Sequence, residues 1–163
     1  MTFRILVCSI FAISSSTIAS GNDTTAKQAD PKPQLTPEMR GDILMARKEY
    51  RDAIEAYTLG PKDSAILLNK TGIAYHQLTD TYTARKYYER AVKTNPDYSE
   101  AINNLGTAHY AQKSYRKAIV QYQKALKLNP NSASIFSNLG TAYFARKRYD
   151  LASQSYQKAL ELL

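Results

Sequence analysis

The chain has 163 residues, of which 44% are hydrophobic and 22% charged, enough apolar content for one folded domain and too much for wholesale disorder. A formal net charge of +8 raises nucleic acid and anionic surfaces as partners, so the placement of the charges has to decide. The single cysteine, Cys8, excludes an internal disulfide framework.

Met1-Thr2-Phe3-Arg4 is a short basic start, and Ile5 to Ile13 is an apolar run too short to span a bilayer as a stable helix. Small and polar residues follow from Ser14 to Ser20, with Thr17 and Ala19 at the −3 and −1 places of a cleavage site. This pattern predicts a signal peptide over 1–19, cut near Ala19, and a periplasmic or secreted mature chain without cysteine. Cys8 lies inside the apolar run after Val7, which speaks against a lipoprotein. Residues 20–35 hold few apolar side chains and include Pro31-Lys32-Pro33, which predicts a disordered or extended linker.

From there on the sequence repeats. Leu105-Gly106-Thr107-Ala108 recurs as Leu139-Gly140-Thr141-Ala142, and Tyr122-Gln123-Lys124-Ala125-Leu126 as Tyr156-Gln157-Lys158-Ala159-Leu160, both at an offset of 34. One unit earlier, Gly72, Tyr75, Ala84, Tyr88, Ala91 and Pro96 precede Gly106, His109, Ala118, Tyr122, Ala125 and Pro130 by the same 34 residues. The register gives units 65–98, 99–132 and 133–163, with a degenerate unit near 34–64 in which Gly60-Pro61 cuts the second helix short. Within 99–132, Ile102, Leu105, Ala108 and His109 follow the 3,4 spacing of one helical face, and Ala118, Ile119, Tyr122, Ala125 and Leu126 follow that of a second. Gly106 and Ala118 lack bulk where two helices cross. Pro130 lies beyond a helix end. Thr36 before Pro37 marks a helix start, and Asp97 or Ser99, and Asn131 or Ser132, are candidate caps.

These residues resemble the tetratricopeptide signature, with a large residue, Leu-Gly, Tyr, Ala, an aromatic, Ala and Pro at fixed places in 34. The resemblance implies an all-α, right-handed superhelical array of stacked antiparallel helix pairs over 36–163, with the first helix of each pair lining the concave side. It also implies which residues line the groove. These are Asn69, Lys70, Ile73 and His76 in one unit, Asn103, Asn104, Thr107 and Tyr110 in the next, and Asn138, Thr141 and Phe144 in the last. Asparagine both donates to and accepts from an extended backbone. Asn104 and Asn138 resemble the asparagine ladder of O-linked N-acetylglucosamine transferases, which grips an extended peptide. The carboxylate clamp of chaperone cofactors is a different arrangement, and only Asn104 falls at one of its places.

Nucleic acid is the weaker reading of the thirteen tyrosines, because nine sit at signature packing places: Tyr50, Tyr57, Tyr75, Tyr88, Tyr115, Tyr122, Tyr143, Tyr149 and Tyr156. No histidine or cysteine cluster has ligand spacing, and no triad, phosphate loop or isolated carboxylate pair stands out, so neither metal, cofactor nor catalysis is expected. The sequence predicts an adaptor that binds a protein or peptide.

Two surface features compete with the groove. Arg47 and Lys48, then Lys113, Arg116 and Lys117, then Arg146, Lys147 and Arg148 fall at or beside the turns within their units, so stacking is expected to bring them to one basic edge. The last unit stops at Leu163 without a polar capping helix, and its final helix is expected to expose Leu151, Tyr156, Ala159, Leu160 and Leu163. Such a face suits a homo-oligomer or another domain, and together with the basic edge it gives the alternative reading of a structural subunit of an envelope complex.

Overall fold

A computed structural model describes residues 34–163, which form eight helices and no strand. The expected signal peptide and nearly all of the expected linker lie outside these residues. Helices α1 (Pro37–Ala46) and α2 (Tyr50–Thr58) make the first pair, and α3 (Ala65–Gln77) and α4 (Thr81–Thr94) the second. The third and fourth pairs are α5 (Ser99–Ala111) with α6 (Tyr115–Leu128) and α7 (Ala133–Ala145) with α8 (Tyr149–Glu161). Among the described residues no helix is long and apolar enough to cross a membrane.

Side-chain caps fix four of the eight helix starts. Thr36 Oγ1 accepts from the Met39 amide at 3.1 Å, with Pro37 as the first helical residue. Asp80 Oδ1 accepts from the Thr83 amide at 3.0 Å, and Ser64 and Ser132 cap α3 and α7 in the same way. The start of α5 departs from expectation. Its cap is Tyr98, which makes no side-chain cap bond, and neither Asp97 nor Ser99 takes the role. Ser99 is already inside the helix and donates its hydroxyl to the Ala125 carbonyl of α6 at 3.1 Å.

The turn inside each pair is the same device four times. Lys48, Thr79, Lys113 and Lys147 have φ of 64°, 64°, 58° and 60°. Each donates its amide three residues back, and the residue after it donates five back, as in Lys113 N to Tyr110 O at 2.8 Å and Ser114 N to His109 O at 2.9 Å. This pair of hydrogen bonds satisfies two of the last carbonyls of the first helix and reverses the chain. No glycine stands at any of the four positions, so each carries the strain of a left-handed L-residue.

A glycine stands at each helix crossing. A Cβ on Gly106 would lie 2.6 Å from the Tyr122 ring, and one on Gly140 would lie 2.8 Å from that of Tyr156. The tyrosine of the second helix therefore lies flat against bare backbone of the first. Tyr88 and Tyr122 are 1% and 2% exposed, and Ala84, Ala91, Ala118 and Ala125 are fully buried around them. The largest apolar cluster joins Ile102, Ile119, Tyr122, Ile135 and Leu139 across the third and fourth pairs, so burial is shared between neighbours. In the first pair Pro61 cannot continue a helix, and α2 has 9 residues where α4 and α6 have 14.

Candidate peptide-binding groove

The odd-numbered helices are the inner face of the stack. Helix α3 touches α5, and α5 touches α7, as well as their sequence neighbours, whereas no comparable contact joins α4 to α6 or α6 to α8. The array is thus tighter on the side of the first helices, where the expected groove residues lie.

The asparagines there form two bridges between units. Asn104 Nδ2 donates to Asn69 Oδ1 at 3.0 Å, and Asn138 Nδ2 donates to Asn103 Oδ1 at 3.0 Å. Each bond steps 35 residues, one more than the period, so the pairs run diagonally and do not link into one ladder. Asn69 is fully buried, and its amide donates to Glu100 Oε1 at 2.9 Å and to the Tyr98 hydroxyl at 3.4 Å. Expected to line the groove, Asn69 instead supports Asn104 from beneath, because the next unit supplies Glu100 and Tyr98 to hold it. Asn103, Asn104 and Asn138 are partly exposed. The side-chain oxygens of Asn104 and Asn138 and the amide of Asn103 have no partner among the described residues, which leaves acceptors and a donor for a ligand backbone.

Thr107 and Thr141 are less free. Thr107 donates to the Asn103 carbonyl at 3.2 Å and accepts from the Tyr122 hydroxyl at 3.3 Å, and Thr141 does the same with Ser137 and Tyr156 at 2.9 and 3.1 Å. Asp42 takes the corresponding hydrogen bond from Tyr57 at 2.8 Å. In the second pair the place belongs to Ile73, so the Tyr88 hydroxyl has no partner among the described residues. Residue typing missed this orphan phenol, although a β-branched hydrocarbon at the threonine place was its signal.

Lys70 is held by α1. Its Nζ lies 2.8 Å from Glu38 Oε1 and 2.6 Å from Asp42 Oδ2, an ion cluster that ties the degenerate first pair to the second. Partial burial pushes the Asp42 carboxyl up, but the hydrogen bonds from Lys70 and Tyr57 prevail and hold it below its ordinary value. Lys70 is also partly desolvated, and the two carboxylates outweigh that and raise its pKa. His76 is half-buried, and burial lowers its pKa. At the far end Tyr110 is half-buried against Tyr115, with ring centroids 5.2 Å apart, while Phe144 is 59% exposed.

Repeat models match at three stretches: a tetratricopeptide repeat at 67–98, a TPR repeat at 106–146 and a tetratricopeptide repeat at 133–163. The chain belongs to the tetratricopeptide-repeat family. Among solved structures, this tetratricopeptide-repeat chain is similar to MamA, with a TM-score of 0.71 and 26% identity over 77% of this chain and 75% of that one. It is also similar to the first TPR of Spaghetti (RPAP3) bound to the HSP90 peptide SRMEEVD, with a TM-score of 0.67 and 25% identity over 69% of this chain and 92% of that one. YrrB, described as a TPR protein with an unusual peptide-binding site, matches at a TM-score of 0.67 and 21% identity over 75% of this chain and 64% of its own, a likeness of fold alone. No curated protein matches the chain. The tetratricopeptide fold is in general a protein-interaction scaffold, and its neighbours here include a peptide complex.

The expected basic edge of the repeats is assembled only in part. Lys113, Arg116, Lys117 and Arg146 line one cleft, whereas Lys147 and Arg148 lie exposed beyond it. Arg47 and Lys48 are separated from this cleft by the turn of the second pair, Leu78-Thr79-Asp80, which carries no cation. At the end of the array, exposure differs from expectation as well. Ala159 is buried and Leu151 and Tyr156 are half-buried, Tyr156 against Gly140 and Thr141 of α7, while Leu160 and Leu163 are 71% and 94% exposed. Tyr149, read as a packing tyrosine, is 56% exposed and meets Phe144 edge-on at 5.4 Å. His109 is buried, at the place where its neighbours carry Tyr75 and Tyr143. No group of three or more His, Cys, Asp or Glu is placed to hold a metal among the described residues.

Proposed function

We propose that this chain is a non-catalytic adaptor that holds an extended segment of a partner protein across α3, α5 and α7, after export to the periplasm or beyond the cell. The observation that carries the reading is the set of unpaired amide groups on Asn103, Asn104 and Asn138, fixed in orientation by the two diagonal bonds. An extended peptide brings backbone N–H and C=O groups that need partners. Preformed partners reduce the ordering cost of binding. The likeness to a peptide-bound repeat domain supports the same reading. The peptide SRMEEVD of that complex is not the ligand proposed here, since only Asn104 falls at a place of the carboxylate clamp. Export rests on the pattern of residues 1–19.

Peptides selected from a random library on the chain supply the test. Asn104→Ala with Asn138→Ala abolishes their capture on this account, and unchanged capture ends it. A second reading has a separate observation behind it: Phe144, Tyr149, Leu160 and Leu163 are exposed at the end of the stack, an apolar face suited to a second copy. Sedimentation over a range of concentrations decides that reading, and a strictly monomeric chain removes it.

A further inference from the structure

The charges of the array are segregated. Residues 34–100 balance ten acidic with ten basic side chains, but from Ala101 to Tyr149 there are eight Lys and Arg and no Asp or Glu. None of those eight cations is within ion-pair distance of a carboxylate among the described residues. Four of them come from three separate elements and converge. Lys113 stands at the turned residue between α5 and α6, Arg116 and Lys117 in the first turn of α6, and Arg146 at the C-cap of α7. With Ser114 and Tyr115 they line a cleft of about 320 Å³.

Helix stability does not account for this arrangement. The N-terminal end of a helix dipole favours acidic residues and repels cations. Helices α2 and α8 have Asp52 and Asp150 in the first turn, whereas α6 has Arg116 and Lys117, no acid there, and no side-chain cap from Ser114. Stacking the third pair on the fourth then adds Arg146 to the same spot. Like charges gathered without counter-charge repel one another, and a ligand of opposite charge relieves that cost.

We propose that this cleft is a second binding site, separate from the asparagine groove, and that it takes an acidic segment of a partner protein. Carboxylates satisfy both guanidinium groups and both ammonium groups by charge-assisted hydrogen bonds. Other polyanions fit less well. Tyr115, the one aromatic residue of the lining, is half-buried and packs tilted at 52° against Tyr110 with centroids 5.2 Å apart, so the cleft lacks an open stacking platform for nucleic-acid bases. Its lining holds no aliphatic side chain to enter a bilayer.

The test uses the full chain and a fluorescent peptide with a run of glutamates, titrated at low and at raised salt. Arg116→Gln, Lys117→Gln and Arg146→Gln together weaken binding at least tenfold and flatten its salt dependence. Arg51→Gln, Lys93→Gln and Lys48→Gln remove the same charge elsewhere and leave binding within about twofold. Asn104→Ala with Asn138→Ala leaves it unchanged, which separates this site from the groove. Circular dichroism checks that each variant keeps its helices. Equal weakening by the two charge triplets overturns the proposal, as general attraction. So does tight binding of an oligonucleotide, or of phosphatidylglycerol vesicles, by a chain that ignores the glutamate peptide.

Discussion

Asn138 donates its side-chain amide to the side-chain oxygen of Asn103 at 3.0 Å, from α7 to α5. The bond fixes both amides without exhausting either, which is what a backbone-reading surface requires. Its counterpart one unit earlier is different in kind, because Asn69 is fully buried and all its polar atoms are used inside. Asn69→Ala leaves Asn104 and Glu100 short of a partner and is expected to cost about 1–3 kcal/mol in chemical denaturation, whereas Asn138→Ala costs about 0.5–1.5 kcal/mol. An equal cost at the two places contradicts the distinction between supporting and lining amides.

The tyrosines test the second layer. Tyr122 and Tyr156 donate to threonines across the helix crossing, and Tyr88 has no such partner. Tyr122→Phe and Tyr156→Phe are each expected to lose about 0.5–1.5 kcal/mol of stability, with Tyr88→Phe near neutral. Similar losses for all three, in the same denaturation experiment, count against the assignment.

How much of this could be read in the sequence follows from what the period carries. The 34-residue register is visible because whole units recur, and the small residues at the helix crossing and the shortened second helix at Gly60-Pro61 are visible because each depends on residues within a single unit. The burial of Asn69 is not, because it comes from Glu100 and Tyr98 of the following unit, and equating places across units treats all asparagines alike. The caging of Lys70 by Glu38 and Asp42 was hidden for the same reason. The turns were legible as turns, but the left-handed residue in each is Lys or Thr, so no glycine advertised it.

That strain is itself measurable. A left-handed L-residue costs about 1–2 kcal/mol, and glycine recovers most of this while losing about 0.5–1 kcal/mol in chain entropy. Lys113→Gly is expected to raise the melting temperature slightly. Thr79→Gly raises it more, since a branched Cβ suits the left-handed region least. A lower melting temperature for Thr79→Gly contradicts the reading of these turns.

Acid sensitivity should trace in part to His109. Burial, reinforced by the positive Arg85 and Lys117 and opposed by Glu89, holds its pKa below the ordinary 6.5. The folded chain therefore keeps the imidazole neutral while the unfolded chain takes a proton as pH drops below 6.5. Stability is full above that pH and is lost as pH falls toward the folded-state value. His76, lowered by burial, acts in the same direction. Denaturation midpoints between about pH 7 and about pH 5 should fall for the native chain and fall less for His109→Tyr. An unchanged slope sinks the assignment.

The groove itself is tested most directly by the side-chain amide signals of asparagine in a ¹H–¹⁵N NMR titration of the chain with a library-selected peptide. The account predicts that Asn103, Asn104 and Asn138 shift or broaden while buried Asn69 and the outer helices α4, α6 and α8 stay in place. Peptide-induced changes confined to the outer helices, with those three amides undisturbed, would contradict it.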